Sequence, residues 1–161
     1  MGVKKNLDAA RRLYTAAADG GNAKAVHNLA VLYAEGIDGK PDYQNAGQWF
    51  RKAATRGVAD SQYNLGILYA RGIGVEVNMA EAYKWLSLAA REGDADAGKK
   101  RDDIGGRLDE KTLMSARAAV QVWTAEPQPE AAIQVKAPAG GWDAAGVPTP
   151  AVPARRVGTS G

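Results

Sequence analysis

Cysteine is absent from this chain of 161 residues, so disulfides and thiolate metal sites are excluded, while the cellular compartment stays open. Histidine occurs once, at His27, and a lone histidine with no cysteine partner is a poor metal site. No nucleophile motif accompanies it, so no catalytic triad is expected. The composition therefore predicts no metal, no cofactor and no catalytic residue.

The chain also lacks a large excess of one charge sign and has no long apolar run. The formal net charge is +3, and no basic stripe interleaved with aromatic residues supports nucleic-acid binding. The densest basic run, 99–101, is followed at once by Asp102 and Asp103, which is typical of a solvated helix face. No stretch approaches the roughly 20 apolar residues of a membrane span, so this segment is not expected to insert into a membrane.

What the sequence does contain is a repeat. Gly21, Gly57 and Gly93 lie 36 residues apart, and each follows a pair of alanines. The same spacing relates Tyr33 to Tyr69, and it also relates further pairs: Asn28 and Asn64, Leu29 and Leu65, Leu32 and Leu68, Ala46 and Ala82, Trp49 and Trp85. A period of this length indicates a solenoid of stacked supersecondary units, which usually serves as a binding surface.

Helical periodicity within the repeat predicts an all-α fold of helix hairpins. The solenoid is predicted over residues 1–125, as a half repeat (3–21), two repeats (22–57 and 58–93) and a degenerate capping pair (94–125). The predicted helices are Leu7–Ala18, Ala23–Glu35, Tyr43–Arg56, a helix capped by Asp60 that ends at Arg71, Met79–Glu92, Ala95–Gly105 and Glu110–Thr124. Asn6 is predicted to cap the first of these helices.

The third unit departs from the pattern. Arg101 stands where Leu29 and Leu65 stand in the earlier units, and Gly105 replaces their tyrosine. Terminal repeats need a polar outer face, so this decay fits a cap. Six of the seven prolines follow Glu126, and residues 126–161 are predicted to form an extended or disordered tail. Trp142 is one candidate for docking that tail on the solenoid.

These residues resemble the Sel1-like repeat, a unit similar to the tetratricopeptide repeat. The resemblance rests on Tyr63-Asn64-Leu65-Gly66, Tyr69, Gly72-Ile73-Gly74-Val75, Ala82, Trp85, Ala89-Ala90 and Gly93. It implies a right-handed α-superhelix whose concave face binds proteins or peptides. The first unit departs from it in its loop, where Ile37-Asp38-Gly39 replaces the usual Gly-x-Gly-Val.

A finer resemblance links the repeats, the helix after them and the tail to the C-terminal part of PodJ-type bacterial polar localisation factors. It rests on Glu126-Pro127-Gln128-Pro129 and on the Lys136-Ala137-Pro138-x-Gly140-Gly141-Trp142 segment. In that family the corresponding region lies in the periplasm, after a coiled coil and one membrane span. The resemblance implies a periplasmic module of a longer, membrane-anchored protein, with a cytoplasmic location as the alternative.

In each repeat, the residues of the first helix that do not face the predicted core are candidates for contacting a ligand. Val31, Ile67 and Tyr63 would form an apolar strip edged by Glu35 and Arg71, which suits a short amphipathic peptide. The alternative is that these residues only pack the adjacent repeat or remain solvated. The full set of predicted protein- or peptide-binding residues is His27, Asn28, Val31, Glu35, Tyr63, Asn64, Ile67 and Arg71.

Three functions are compatible with this pattern. The favoured one is a non-enzymatic interaction or scaffold module with a protein or peptide partner, expected among cell-envelope or signalling proteins. The second is a peptidoglycan-binding module in which Trp142 contacts glycan or stem peptide. The third is a β-lactam-hydrolysing enzyme, which is disfavoured because such Sel1-like proteins rely on disulfide-paired helices and this chain has no cysteine.

Overall fold

A computed structural model of the chain describes residues 2–37 and 39–127, with side chains from residue 7 onward. Seven helices and no strand occur in these ranges. They are α1 (Gly2–Asp19), α2 (Ala23–Glu35), α3 (Tyr43–Thr55), α4 (Ala59–Arg71), α5 (Met79–Arg91), α6 (Ala95–Gly105) and α7 (Glu110–Val122). The all-α solenoid expected from the sequence is confirmed.

Each repeat ends in the same glycine turn. The amide of the residue after the turn glycine donates to a carbonyl five residues back, in the bonds Asn22 N to Ala17 O, Val58 N to Ala53 O and Asp94 N to Ala89 O, at 3.0, 3.1 and 3.3 Å. The three glycines have φ of 90°, 91° and 101°, a region that side chains other than glycine rarely adopt. These turns fix the angle at which one repeat follows another.

Two predicted helix caps are wrong. Helix α1 begins at Gly2, so Asn6 lies inside it rather than at its N-cap. The N-cap of α4 is Val58, which makes no side-chain cap hydrogen bond, and Asp60 lies in the first turn of the helix. A carboxylate there still interacts favourably with the helix N-terminus. The sequence patterns were misleading because the turn that precedes α4 already fixes where the helix begins.

The apolar residues that recur at the repeat period form the core. Leu29, Leu65, Leu86 and Phe50 are fully buried, and each such side chain contributes about 1.5–3 kcal/mol of burial free energy. Helices α2 and α4 are buried on nearly every face, because each packs against the helices before and after it in the chain. On α1, one large apolar side chain, Leu13, is 38% exposed.

The third unit opens instead of closing into a hairpin. Helices α6 and α7 both pack on α5, and they do not pack on each other as closely as the paired helices of the earlier repeats do. Gly105 lies against the Tyr83 ring, where a Cβ atom would come within 3.0 Å of Cε2. The missing tyrosine of the third unit is thus replaced by a tyrosine from the second.

Beyond α7 the chain runs back along the array. The predicted helix end at Thr124 is wrong: α7 ends at Val122, and Trp123 is extended with φ −71° and ψ 134°. The Trp123 ring meets Trp85 edge-on at 6.3 Å. Three residues later, the Glu126 amide donates to the Thr55 carbonyl at 2.9 Å. The start of the predicted tail is therefore ordered against the solenoid, while the predictions for 128–161, including docking through Trp142, fall outside the described residues.

Replacing Gly72 by valine should destabilise the fold. Gly72 ends α4 in the left-handed region, with φ 67° and ψ 40°, and an added Cβ would lie 2.6 Å from Val77 Cγ2. The left-handed backbone alone costs a residue with a side chain about 1–2 kcal/mol. We expect a loss of unfolding free energy above the roughly 1 kcal/mol of a typical substitution, measured by denaturant titration.

The matched control is Gly106→Val, because Gly106 ends α6 with an ordinary right-handed backbone, φ −67°. Equal stability of the Gly72→Val variant and the parent chain would show that the α4 boundary is wrong.

Candidate protein-interaction surface

The eight predicted binding residues lie on two helices, α2 and α4, which are the first helices of the two full repeats. The set on α2 is His27, Asn28, Val31 and Glu35, and the equivalent set on α4 is Tyr63, Asn64, Ile67 and Arg71. Their 36-residue spacing gives each residue of one set a counterpart at the same position of the next repeat. The sets therefore form one face that continues across both repeats.

Most of this face is packed. Val31, Tyr63 and Ile67, the predicted apolar strip, belong to the apolar core and are only 3%, 6% and 7% exposed. The sequence suggested a more open strip, because helix phase alone does not show how closely successive first helices approach. Their role in peptide binding stays a prediction, and the accessible members of the set are Arg71, which is exposed, and the partly buried Glu35.

Two equivalent residues link successive repeats. His27 Nδ1 lies 2.7 Å from Ser61 Oγ, in the first turn of α4. At the same position one repeat later, the Tyr63 hydroxyl donates to Asp96 Oδ2 at 2.7 Å, in the first turn of α6. A buried polar group needs such a partner, so these bonds also fix how the first helices lie side by side. The serine is fully buried, which gives this Ser–His pair no access to a substrate.

The sequence leaves two roles open for Asn28 and Asn64: binding the backbone of a ligand peptide, or bonding to a neighbouring helix or loop. Asn28 is 7% exposed and Asn64 is 1% exposed. Asn64 has almost no contact with solvent, so a ligand would reach the face more readily at Asn28. The choice between the two roles stays a prediction for both residues.

Glu35 is the most unusual group of the face. Its Oε1 atom is buried and has no hydrogen-bond partner among the described residues. Burial raises the pKa of Glu35 from 4.5 to about 7, because the charged form loses its hydration. At the equivalent position of the next repeat, Arg71 is exposed at the C-terminus of α4, where a cation is favourable. The face thus ends in one acidic side chain, Glu35, and one basic side chain, Arg71.

A second surface was not predicted from the sequence. The open third unit leaves a cleft of about 420 Å³ between α6 and α7, above α5. Three arginines line it, one from each helix: Arg91, Arg101 and Arg117. The sequence signal was Arg101 at a position that leucine occupies in both earlier repeats, but the basic run around it was interpreted as a solvated face.

In residues 7–37 and 39–127, no group of three or more histidine or acidic side chains is placed to hold a metal ion. None of the helices in the described ranges is long and apolar enough to cross a membrane.

Comparison with known proteins gives the family. The Sel1 repeat matches residues 1–22, 23–58 and 59–94. No functionally curated protein is similar enough in sequence to match the chain. Among solved structures, the chain is similar to a protective antigen present in uropathogenic Escherichia coli strains that displays an SLR fold, with 30% identity, a TM-score of 0.65 and 80% of this chain covered. It is also similar to a Sel1 repeat protein from Oxalobacter formigenes, with 26% identity, a TM-score of 0.54 and 69% of this chain covered.

The chain spans 28% and 48% of the lengths of these two proteins. The repeat boundaries found in this comparison agree, within one residue, with the glycine turns at Gly21, Gly57 and Gly93. Three consecutive matches cover more than half of the chain. The chain therefore belongs to the Sel1 repeat family.

Proposed function

We propose that this chain is a non-enzymatic interaction module that binds a protein segment along the first helices α2 and α4. Sel1 repeat proteins generally mediate protein–protein interaction. The observation that carries the proposal is the continuous face formed by equivalent residues of α2 and α4, which the His27–Ser61 hydrogen bond joins. The partner is a short peptide or a single helix, because only two full repeats contribute to the face.

The physical basis of binding is a surface that is formed before the partner arrives. Val31, Tyr63 and Ile67 supply a rigid apolar floor, so binding does not require these side chains to be ordered. Glu35 and Arg71 lie at the edge, where charge orients a partner more than it adds affinity. An amphipathic segment with an anionic group near Arg71 fits this arrangement.

The proposal includes a location. The resemblance of residues 126–142 to polar localisation factors supports a role in the bacterial periplasm, with cell-envelope proteins as partners. The test is protease accessibility of the tagged full-length protein in intact cells and in spheroplasts. Digestion only after the outer membrane is opened supports the location, and protection in spheroplasts contradicts it.

The binding face is tested by site-specific photo-crosslinking. A photoreactive amino acid at position 35 or 71 should capture a partner in cells, whereas the same group at Gln48, an exposed residue of α3, should not. With the captured partner purified, Arg71→Glu should weaken binding by about tenfold, which is the usual effect of losing one charged contact. Arg12→Glu, at an exposed position of α1, is the charge-matched control. Capture at position 48 alone, or equal loss in both variants, would rule out this face.

Glu35 also predicts a pH dependence of stability. Its pKa is about 7 in the folded protein and lower in the unfolded chain, so the folded state binds more protons between about pH 4.5 and pH 7. The contribution of Glu35 to stability therefore falls as pH rises through this window and is constant above it. Glu35→Gln should remove that fall, measured as unfolding free energy at several pH values.

The control for this measurement is Glu92→Gln, at an exposed position. Identical pH profiles for the parent chain and the Glu35→Gln variant would show that the Glu35 carboxyl is solvated.

A further inference from the structure

The open third unit creates a cleft that the regular repeats do not have. In the first two repeats the corresponding position of the first helix holds a fully buried leucine, Leu29 or Leu65. In the third unit Arg101 stands at this position, and the paired helices separate. The cleft between them is lined by Tyr83, Ser87, Ala90, Arg91, Arg101, Arg117, Val120 and Gln121.

Arg101 is held partly inside the cleft. Its side chain is 31% exposed, and its guanidinium pairs with the neighbouring Asp102 at 2.8 Å. The residue one turn earlier is Gly98, and a Cβ atom there would lie 3.8 Å from Arg101 Nη2. The guanidinium therefore lies beside Gly98, near the α5 residue Ala90. Asp102 itself is 71% exposed and does not line the cleft.

The other two arginines are positioned by neutral partners. Arg117 Nε lies 3.3 Å from the Tyr83 hydroxyl. Arg91 Nη1 donates to the Val120 carbonyl at 3.4 Å, and its guanidinium lies over the Trp123 ring at 5.7 Å. Because a guanidinium has five N–H donors, each arginine keeps several for a further acceptor. No carboxylate is among the residues that line this part of the described structure.

Three guanidinium groups make the cleft electropositive, and among its arginines only Arg101 has a carboxylate partner within the described residues, Asp102, which lies outside the lining. An arginine fork matches a carboxylate with two parallel hydrogen bonds, and the interaction is stronger where the protein wall excludes water. Ser87 and Gln121 add polar groups to the lining, and the remaining walls are apolar: Ala90, Val120 and the Tyr83 ring. They fit the methylene groups of glutamate and a neighbouring apolar side chain.

We propose that this cleft binds an acidic protein segment, with carboxylate side chains on Arg91, Arg101 and Arg117 and an apolar residue beside Val120. The site is distinct from the α2–α4 face, and it does not depend on what that face binds. The volume of about 420 Å³ accepts one or two side chains of an extended segment. The degeneration of the third unit would thus serve binding as well as ending the array.

The experiment measures fluorescence anisotropy of a fluorescein-labelled peptide, Gly-Glu-Leu-Glu-Glu-Leu-Glu-Gly, with the full chain. Binding is expected at low ionic strength and should weaken between about 50 and 300 mM salt, because screening reduces exposed charge–charge attraction. Arg101→Leu and Arg117→Gln should each reduce affinity by about tenfold. The first variant restores the leucine of the earlier repeats, and a second variant on another helix keeps the test valid if one of them misfolds.

The matched control is Arg107→Leu. Arg107 lies outside the cleft and pairs with Asp103 at 3.0 Å, with both side chains 65% exposed. A loss of affinity in this variant equal to that of Arg101→Leu would overturn the proposal, because it would indicate binding by net charge alone. Equal binding of the peptide with glutamine in place of glutamate, or no binding at low salt, would do the same.

A last arm of the experiment separates carboxylates from phosphates. Inorganic phosphate and free glutamate are each added as competitors of the labelled peptide. Displacement by glutamate at the concentration at which phosphate acts, or below it, supports the carboxylate assignment. Displacement by phosphate alone would overturn it.

Discussion

The fold depends on burial of apolar faces between helix hairpins that cannot bury them alone. A hairpin of two 13-residue helices leaves one side of each helix uncovered, and only the next hairpin in the array can cover it. The glycine turns at Gly21, Gly57 and Gly93 set the geometry of this stacking, because their backbone conformation positions the next helix. The regular spacing of residues along the sequence follows from this requirement.

Stacking also explains why the surface and the core are difficult to separate in so short an array. His27 and Tyr63 occupy the same position in successive repeats, and each bonds to the first turn of the next first helix. The equivalent residue of the third unit is Lys99, which is exposed. It lies on α6, and no further first helix follows α6 in the described residues. His27 and Tyr63 thus hold repeats together, and the most accessible part of the α2–α4 face is its edge at Glu35 and Arg71.

The sequence predicted the repeated part of the fold well, because a period is visible wherever the same contact recurs. The glycines identified by their 36-residue spacing, Gly21, Gly57 and Gly93, all have positive φ in the structure. Non-repeated features were predicted poorly. Arg101 and Gly105 indicated that the third unit decays, but not that α7 packs on α5 or that Trp123 lies on Trp85. Those contacts join residues that are far apart in the chain, and each occurs only once. They could therefore not be predicted from the repeat period. The arginine cleft was missed for the same reason.

The central claim is that each hairpin is stabilised by its neighbours and that the array weakens at the open third unit. Native-state hydrogen exchange tests this claim most directly. The account predicts that amides of α2, α3, α4 and α5 exchange only through one cooperative opening of high free energy. Amides of α6 should exchange through a smaller opening, since this helix lacks the apolar residues of α2 and α4 and packs closely only on α5. Equal protection of α6 and α4, or separate opening of the two full repeats, would contradict the account.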